Sequence, residues 1–269
     1  MMKISMWSSF LYGRKFETII PSMHNAGFDS MDLSTEHLDE LVASDNAAKR
    51  AIEWRDMGWE YNVPLLQTHL PLDSDLSVAG LSRDKQLDYL KRELELVMLM
   101  DIPAAVIHAR MENNGNEDNI VDALLELCDF LKGSKTSLAL ENLFRCDTRA
   151  KDLISLNNLA DNHPKLGICL DTGHLNWTGG DPVEFLEDAG TRLTALHIAD
   201  NTGIGDYHML PLGRGTVPWR AFMRKLKSMD YKGIFNYEAS GENSAEYPEM
   251  LDAKLLYSAQ LARILLALE

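Results

Sequence analysis

Short β-rich apolar runs alternate with helix-length amphipathic segments eight times along this chain of 269 residues. The strand-like runs lie at 3–8, 28–33, 64–70, 104–109, 137–143, 166–171, 193–199 and 233–239. Helical patterns lie between them, for example at 83–100, 119–131, 219–229 and 250–268. Most of the runs are almost continuously apolar, which is typical of parallel strands that helices cover.

This alternation predicts an α/β fold, and eight units predict a closed (β/α)8 TIM barrel. An open, doubly wound sheet is the alternative, but the first strand is not followed by the GxGxxG loop of a dinucleotide-binding fold. Because no linker, low-complexity stretch or charge block divides the chain, we predict one domain over residues 1–269.

Charge and composition narrow the functional classes. The chain has 26 Lys and Arg against 41 Asp and Glu, so its formal net charge is −15. Nucleic acid is not an expected partner, because phosphate recognition needs a basic surface. No apolar run approaches the roughly 18 residues of a membrane span, and the first residues are not expected to act as a signal peptide. Three cysteines without a CxxC motif indicate a reducing compartment, so we expect a cytoplasmic protein; a homo-oligomer stays open.

Metal-binding side chains gather at the positions where the predicted strands end. Active sites of TIM barrels lie at this C-terminal rim. Nine side chains share the placement: His69, His108, Glu141, Asp171, His174, His197, Asp206, His208 and Glu238. Converging carboxylates and imidazoles would be costly to bury, and a divalent cation removes that cost. The mixed ligands suit Zn²⁺, Mn²⁺, Fe²⁺ or Co²⁺, so we predict at least one such ion and leave a second or third open.

Local spacing adds further candidates. Gly173 would permit a sharp turn that brings Asp171 and His174 to the barrel mouth. Asp206 and His208, two residues apart in an extended loop, can point the same way. Substrate-binding candidates near the rim are Trp7, Trp177 and Arg214, although the two tryptophans could equally pack under loops. Surface positions are expected for His24, His37 and His163, and a core position for Cys169.

Four segments resemble a known superfamily, the xylose-isomerase-like barrels. They are GICLDTGH (167–174), LHIADN (196–201), DYHMLPLGRG (206–215) and NYEASGE (236–242). The superfamily includes sugar isomerases, ketose 3-epimerases and type IV apurinic endonucleases, and the resemblance covers nearly the whole chain. It implies one metal held by Glu141, Asp171, His197 and Glu238. It also implies that Glu141 and Glu238 pass the proton at the carbon next to the substrate carbonyl, and that His174 contacts substrate oxygens.

The endonuclease branch implies a larger cluster. There, His69, His108 and Glu141 would hold one zinc ion, the four ligands above a second, and His174, Asp206 and His208 a third. Two departures count against this branch. The residues after His69 are Leu-Pro-Leu-Asp rather than a Tyr-hydrophobe-Asn continuation, and Ala199 stands before Asp200 where that branch has Asn.

The preferred function is therefore a divalent-metal-dependent isomerase or epimerase that acts on a small keto or aldo sugar or a polyol. The metal would bind the carbonyl and hydroxyl oxygens while a carboxylate removes the neighbouring proton. A lyase or dehydratase acting on a cyclic polyol would begin with the same step. The alternatives are a trinuclear zinc phosphodiesterase and a non-catalytic sugar-binding barrel, which would have lost a ligand or a catalytic carboxylate.

Overall fold

Eight parallel strands form the centre of the molecule in the computed structural model, which describes residues 2–241 and 247–269. Glu242, the last residue of the NYEASGE segment, lies outside the described residues. The strands are β1 (Ile4–Trp7), β2 (Ser30–Leu33), β3 (Leu65–His69), β4 (Ala104–Ile107), β5 (Ser137–Glu141), β6 (Leu166–Asp171), β7 (Leu193–His197) and β8 (Phe235–Tyr237). Each lies within one of the eight predicted runs, so the predicted strands are confirmed.

Helices connect the strands on the outside of the sheet. Those in the described ranges are α1 (Phe16–Ala26), α2 (Thr35–Val42), α3 (Ala47–Glu60), α4 (Gly80–Leu99), α5 (Glu117–Phe130), α6 (Ala150–Leu159), α7 (Thr172–Trp177), α8 (Pro182–Ala189), α9 (Trp219–Ser228) and α10 (Pro248–Ala267). Individual residues of the sequence determine where several of these helices begin or end. Gly27 ends α1 in the left-handed conformation with φ of 89°. Asp181 caps α8 by accepting a hydrogen bond from the Val183 N–H at 2.7 Å. In the part of the chain that the structure describes, no helix is both long and apolar enough to cross a membrane.

The strand order is β7-β6-β5-β4-β3-β2-β1-β8, and each neighbouring pair in that order is parallel. A parallel bridge between Ile198 and Tyr237 joins β7 to β8. There the Ile198 N–H donates to the Asn236 carbonyl at 2.8 Å. The predicted (β/α)8 TIM barrel is therefore confirmed, and all eight strand ends point to one rim.

Small side chains fill the inside of the barrel, whereas larger ones pack between strands and helices. The interior cluster consists of Ala104, Val106, Ala139, Cys169 and Ala195, all buried. Cys169 is thus a core residue, as the sequence predicts. Small residues fit here because side chains from all eight strands share the narrow interior.

The expectation for His37 was wrong. His37 lies in α2 and is only 2% exposed, not in a surface loop. Its Nδ1 lies 2.9 Å from the Ser8 hydroxyl and 3.0 Å from the Ser34 hydroxyl. The eight-residue helix that buries it is too short to give a clear helical pattern in the sequence.

A buried carboxyl group links α4 to α2, away from the barrel mouth. Glu93 is 0% exposed and lies beside Asp39, whose carboxylate accepts a hydrogen bond from the Tyr89 hydroxyl at 2.5 Å. Burial, together with the negative charge of Asp39, raises the pKa of Glu93 to about 9. Glu93 therefore carries a proton in the folded protein at neutral pH.

We expect Glu93→Gln to make the protein more stable at pH 8 than the unsubstituted protein is. The folded pKa of Glu93 lies above its unfolded value, so its contribution is fully present below about pH 4.5 and is lost as the pH rises towards 9. The lost contribution grows by at most ~1.4 kcal/mol per pH unit. Gln is neutral and does not titrate, and its amide N–H replaces the carboxyl O–H as a donor. Urea unfolding of both proteins from pH 5 to 8.5 measures this difference, and Glu95→Gln on the exposed face of α4 is the control. A difference that does not change with pH contradicts the protonated state.

Candidate functional site

Four ligand-type side chains meet at the rim where strands β5 to β8 end. Glu141, Asp171 and His197 are the last residues of their strands, and Glu238 directly follows β8. All four are buried, with at most 4% of each exposed. One ligand atom from each lies within 4.8 Å of those from the other three. These four side chains, the set that the resemblance implies, are therefore close enough together to hold one ion.

His197 lies between the two glutamates. Its Nδ1 is 2.9 Å from Glu141 Oε1 and 3.1 Å from Glu238 Oε2. An imidazole nitrogen can face two carboxylates in only two ways: it donates a proton, or it shares a cation with them. Burial raises the pKa of Glu141, but the charge of His197 and hydrogen bonds from the surrounding histidines outweigh it, and the pKa lies well below its usual value.

Asp32 faces the other side of the His197 ring, and the sequence reasoning missed it. Its Oδ2 is 3.6 Å from His197 Nε2 and accepts hydrogen bonds from Gln67 Nε2 at 3.0 Å and Asn236 Nδ2 at 2.6 Å. A carboxylate on this side favours a proton on Nε2, which leaves Nδ1 free to bind a cation. The signal in the sequence was an aspartate between the apolar residues Met31 and Leu33 of the second predicted strand.

Asp171 supplies the test of whether a cation fits. Its Oδ2 is buried and has no hydrogen-bond partner within residues 2–241 and 247–269. Burial raises the pKa of Asp171 to about 7, because ionisation is costly without a compensating charge. The three carboxylates and the imidazole of this group each have a ligand atom within 4.8 Å of the others, and Asp171 Oδ2 is unpartnered. Such a set of donor atoms fits a divalent transition ion.

The expected role of Gly173 was wrong. The chain does not turn sharply after β6 but enters α7 at once, and the Asp171 carboxylate caps this helix by accepting the His174 N–H at 2.6 Å. A Cβ at Gly173 would lie 3.1 Å from the Ala199 Cβ and 3.2 Å from Asp171 Oδ1. Glycine is needed here for close approach of the helix to β7, not for a left-handed turn.

Two further histidines contact the second oxygen of Glu141. His69 Nε2 is 2.9 Å and His108 Nε2 3.1 Å from Glu141 Oε2. Glu141 thus links this pair to the four-ligand site. Within the described residues, His69, Glu141 and His197 form a group compact enough to hold a metal.

A separate group lies nearer the surface. Asp206 Oδ2 is 3.2 Å from His174 Nε2 and 3.1 Å from His208 Nε2, so one carboxylate oxygen is shared by two rings. Burial opposes protonation of His208, but its hydrogen bond to Asp206 raises the pKa of His208 to about 10. Asp206 and His208 meet as predicted, although the loop is not extended, because His208 has a φ of 42°. This group could also hold an ion.

A cavity of about 260 Å³ opens above these groups. The described residues that line it are Trp7, His69, Leu72, His108, Met111, Glu141, Leu143, Phe144, Arg145, His174, Asp206, His208 and Glu238. Trp7 thus lies where the sequence places a substrate contact. Trp177 packs against the lining residue Phe144, with 4.4 Å between ring centroids. Arg214 is exposed and is not among the described lining residues, so its role stays a prediction.

A sequence profile of the xylose isomerase-like TIM-barrel family matches residues 21–261. The chain belongs to this family. The resemblance inferred from its motifs is thereby confirmed. Over 143 residues the chain is 30% identical to the L-ribulose 3-epimerase of Methylomonas sp. (strain DH-1), covering 52% of this chain and 46% of that enzyme. The matched segment thus covers less than half the length of that relative.

Other similar proteins match over most of the chain. The uncharacterized protein MJ1311 of Methanocaldococcus jannaschii is 28% identical over 257 residues, which cover 86% of this chain and 84% of that protein. Among solved structures, D-psicose 3-epimerase with D-tagatose from Clostridium cellulolyticum H10 has a TM-score of 0.82 at 18% identity, covering 98% of this chain and 99% of that chain. This structural likeness shows the shared barrel.

Proposed function

We propose that the protein is a divalent-metal-dependent isomerase or epimerase of a small keto or aldo sugar or a polyol. The observation that carries this proposal is the position of two buried glutamates on either side of one imidazole nitrogen. Glu141 and Glu238 lie 2.9 and 3.1 Å from His197 Nδ1 at the floor of the cavity. The names of the relatives that act on sugars support the same reaction class.

Glu141, Asp171, His197 and Glu238 would hold the metal, as their donor atoms and the unpartnered Asp171 oxygen suggest. When bound, a divalent ion supplies Lewis-acid chemistry for a carbonyl and an adjacent hydroxyl. Glu141 and Glu238 come from strands on different sides of β7 in space. One carboxylate removes the proton next to the carbonyl, and the other returns a proton from the opposite face.

The walls of the cavity bind and orient the substrate in this proposal. Trp7 lines the cavity, and its buried indole N–H has no acceptor in the described parts of the chain. His174 lines the cavity beside Glu141, with 3.6 Å between His174 Nδ1 and Glu141 Oε1. These residues would orient the substrate so that the carbon to be deprotonated faces the two glutamates at the floor of the cavity. A related lyase or dehydratase would use the same first proton transfer.

The test is a solvent-exchange screen. We expect the metal-loaded protein in D₂O to place deuterium on the carbon next to the carbonyl of at least one ketose, aldose or inosose, because carboxylates exchange the abstracted proton with solvent. NMR or mass spectrometry of the recovered sugar measures it. Chelator-treated protein is the matched control and should show no incorporation.

The second ligand group supports one other candidate, a multinuclear phosphodiesterase. His174, Asp206 and His208 would hold a further ion there. Cleavage of a duplex with an abasic site by the same metal-loaded preparation, with no deuterium in any sugar, would favour that activity and contradict the proposed one.

A further inference from the structure

Arg145 is the feature of the cavity that proton transfer does not use. It follows Phe144 in the loop after β5, and its side chain lines the cavity. The guanidinium carbon lies 5.3 Å from the centre of the Phe144 ring, and that ring packs on Trp177. A stacked guanidinium keeps its planar N–H edge available to a ligand.

No carboxylate within residues 2–241 and 247–269 forms an ion pair with Arg145. The neighbouring arginines are each bound to other groups of the chain. Arg110 Nε donates to Asp147 Oδ2 at 2.8 Å, and Arg149 donates to the Thr178 hydroxyl at 2.9 Å and the Thr178 carbonyl at 2.9 Å. These two arginines fasten the loop itself, whereas Arg145 faces the cavity.

Charge is unevenly distributed over the cavity lining. The carboxylates of Glu141, Glu238 and Asp206 lie beside the histidines, whereas Arg145 contacts the Phe144 ring, whose centre is 5.4 Å from that of His174. Arg145 is the one permanent cation in the described lining, which contains no lysine. A substrate whose carbonyl lies at the carboxylates would therefore place a negative group favourably near Arg145.

The apolar wall of the cavity offers little to neutral hydroxyl groups. It is made by Leu72, Met111, Leu143 and Phe144, and the described lining contains no Ser, Thr, Asn, Gln or Tyr. A long neutral polyol would lose hydrogen bonds to water here without replacing them. A charged end group at Arg145 compensates for that loss with charge-assisted hydrogen bonds.

We propose that Arg145 is an anion-binding residue and that the substrate carries a carboxylate or phosphate at the end remote from the reacting carbonyl. The inference rests on the proposed function for the position of that carbonyl. Both groups present paired oxygens to the planar guanidinium fork, so the shared chemistry is an oxyanion that accepts two parallel hydrogen bonds.

Binding of unreactive ligands tests this independently of turnover. Calorimetry with metal-loaded protein would compare sorbitol, sorbitol 6-phosphate and gluconate, which have no carbonyl to react. We expect Arg145→Gln to weaken binding of at least one anion about tenfold or more, as loss of a charged hydrogen bond does, and to leave sorbitol unchanged. The anion that loses more identifies the end group. Arg220→Gln, on the exposed face of α9, is the matched control.

An anion that binds only the metal should bind equally well to Arg145→Gln and to the unsubstituted protein. The difference in affinity between these two proteins therefore measures binding at Arg145 alone. Equal weakening of sorbitol and the anions would indicate a structural role and overturn the proposal. Unchanged affinity for both anions would also overturn it. If the deuterium screen fails while the anion-selective loss remains, the proposed reaction is wrong and the anion site stands.

Discussion

Glu141→Gln and Glu238→Gln should each abolish net turnover. Gln keeps the shape of the side chain and a carbonyl oxygen that can bind metal, but it cannot accept a proton at neutral pH. General acid–base catalysis is typically worth ~10²–10⁴-fold, and weaker metal binding adds to the loss because each carboxylate contributes charge to the site. The measurement is kcat/KM at saturating metal, on the substrate that the deuterium screen identifies.

The two variants should also separate the two faces of the substrate. If each glutamate serves one face, each variant keeps slow deuterium exchange with one epimer and loses it with the other. The control variants are Asp206→Asn and His208→Ala, whose side chains lie in the outer group with His174. They should lower activity less than either glutamate variant. Equal collapse of all four variants would favour a cluster enzyme over the pair of glutamates.

The sequence predicts the barrel because its evidence is repeated eight times. Each strand is an apolar run long enough to be recognised, and each lies between helical patterns. His37 shows where this evidence becomes too weak, since it lies in a helix of eight residues whose burial depends on contacts with the Ser8 and Ser34 hydroxyls. Ser8 lies 29 residues before His37, so this contact gives no periodic signal in the sequence.

The candidate site could be predicted as a set of residues but not as an arrangement. Strand ends identify which side chains share the rim, because parallel strands all finish on the same side. The separation of His174, Asp206 and His208 from the four-ligand group depends on the path of the loop to His208. No hydrophobic periodicity in the sequence predicts that path. Asp32 and Arg145 were missed for different reasons: Asp32 acts through His197 from within the barrel, and Arg145 lies in a loop where exposed arginines are common.

Removing metal should produce the largest change in stability. An ion that binds only the folded state stabilises it by about 4 kcal/mol at a thousand times its Kd. For a chain of this size that corresponds to roughly ten degrees in Tm. We therefore expect Mn²⁺, Co²⁺ or Zn²⁺ to raise the Tm of chelator-treated protein by about this amount.

Asp171→Asn is the variant that tests this stabilisation at the inner site. The amide removes one negative charge from the four ligands, so most of the Tm increase should disappear, whereas Asp206→Asn should retain it. Elemental analysis and anomalous scattering count the ions. A single peak at Glu141, Asp171, His197 and Glu238 would indicate that His174 and His208 contact substrate. A second peak beside Asp206 would indicate that these two histidines are metal ligands. An ion that buried carboxylates bind tightly must stabilise the fold that holds them together. The metal site itself would therefore be contradicted if the purified protein contained no metal and its Tm did not change with any of the three ions.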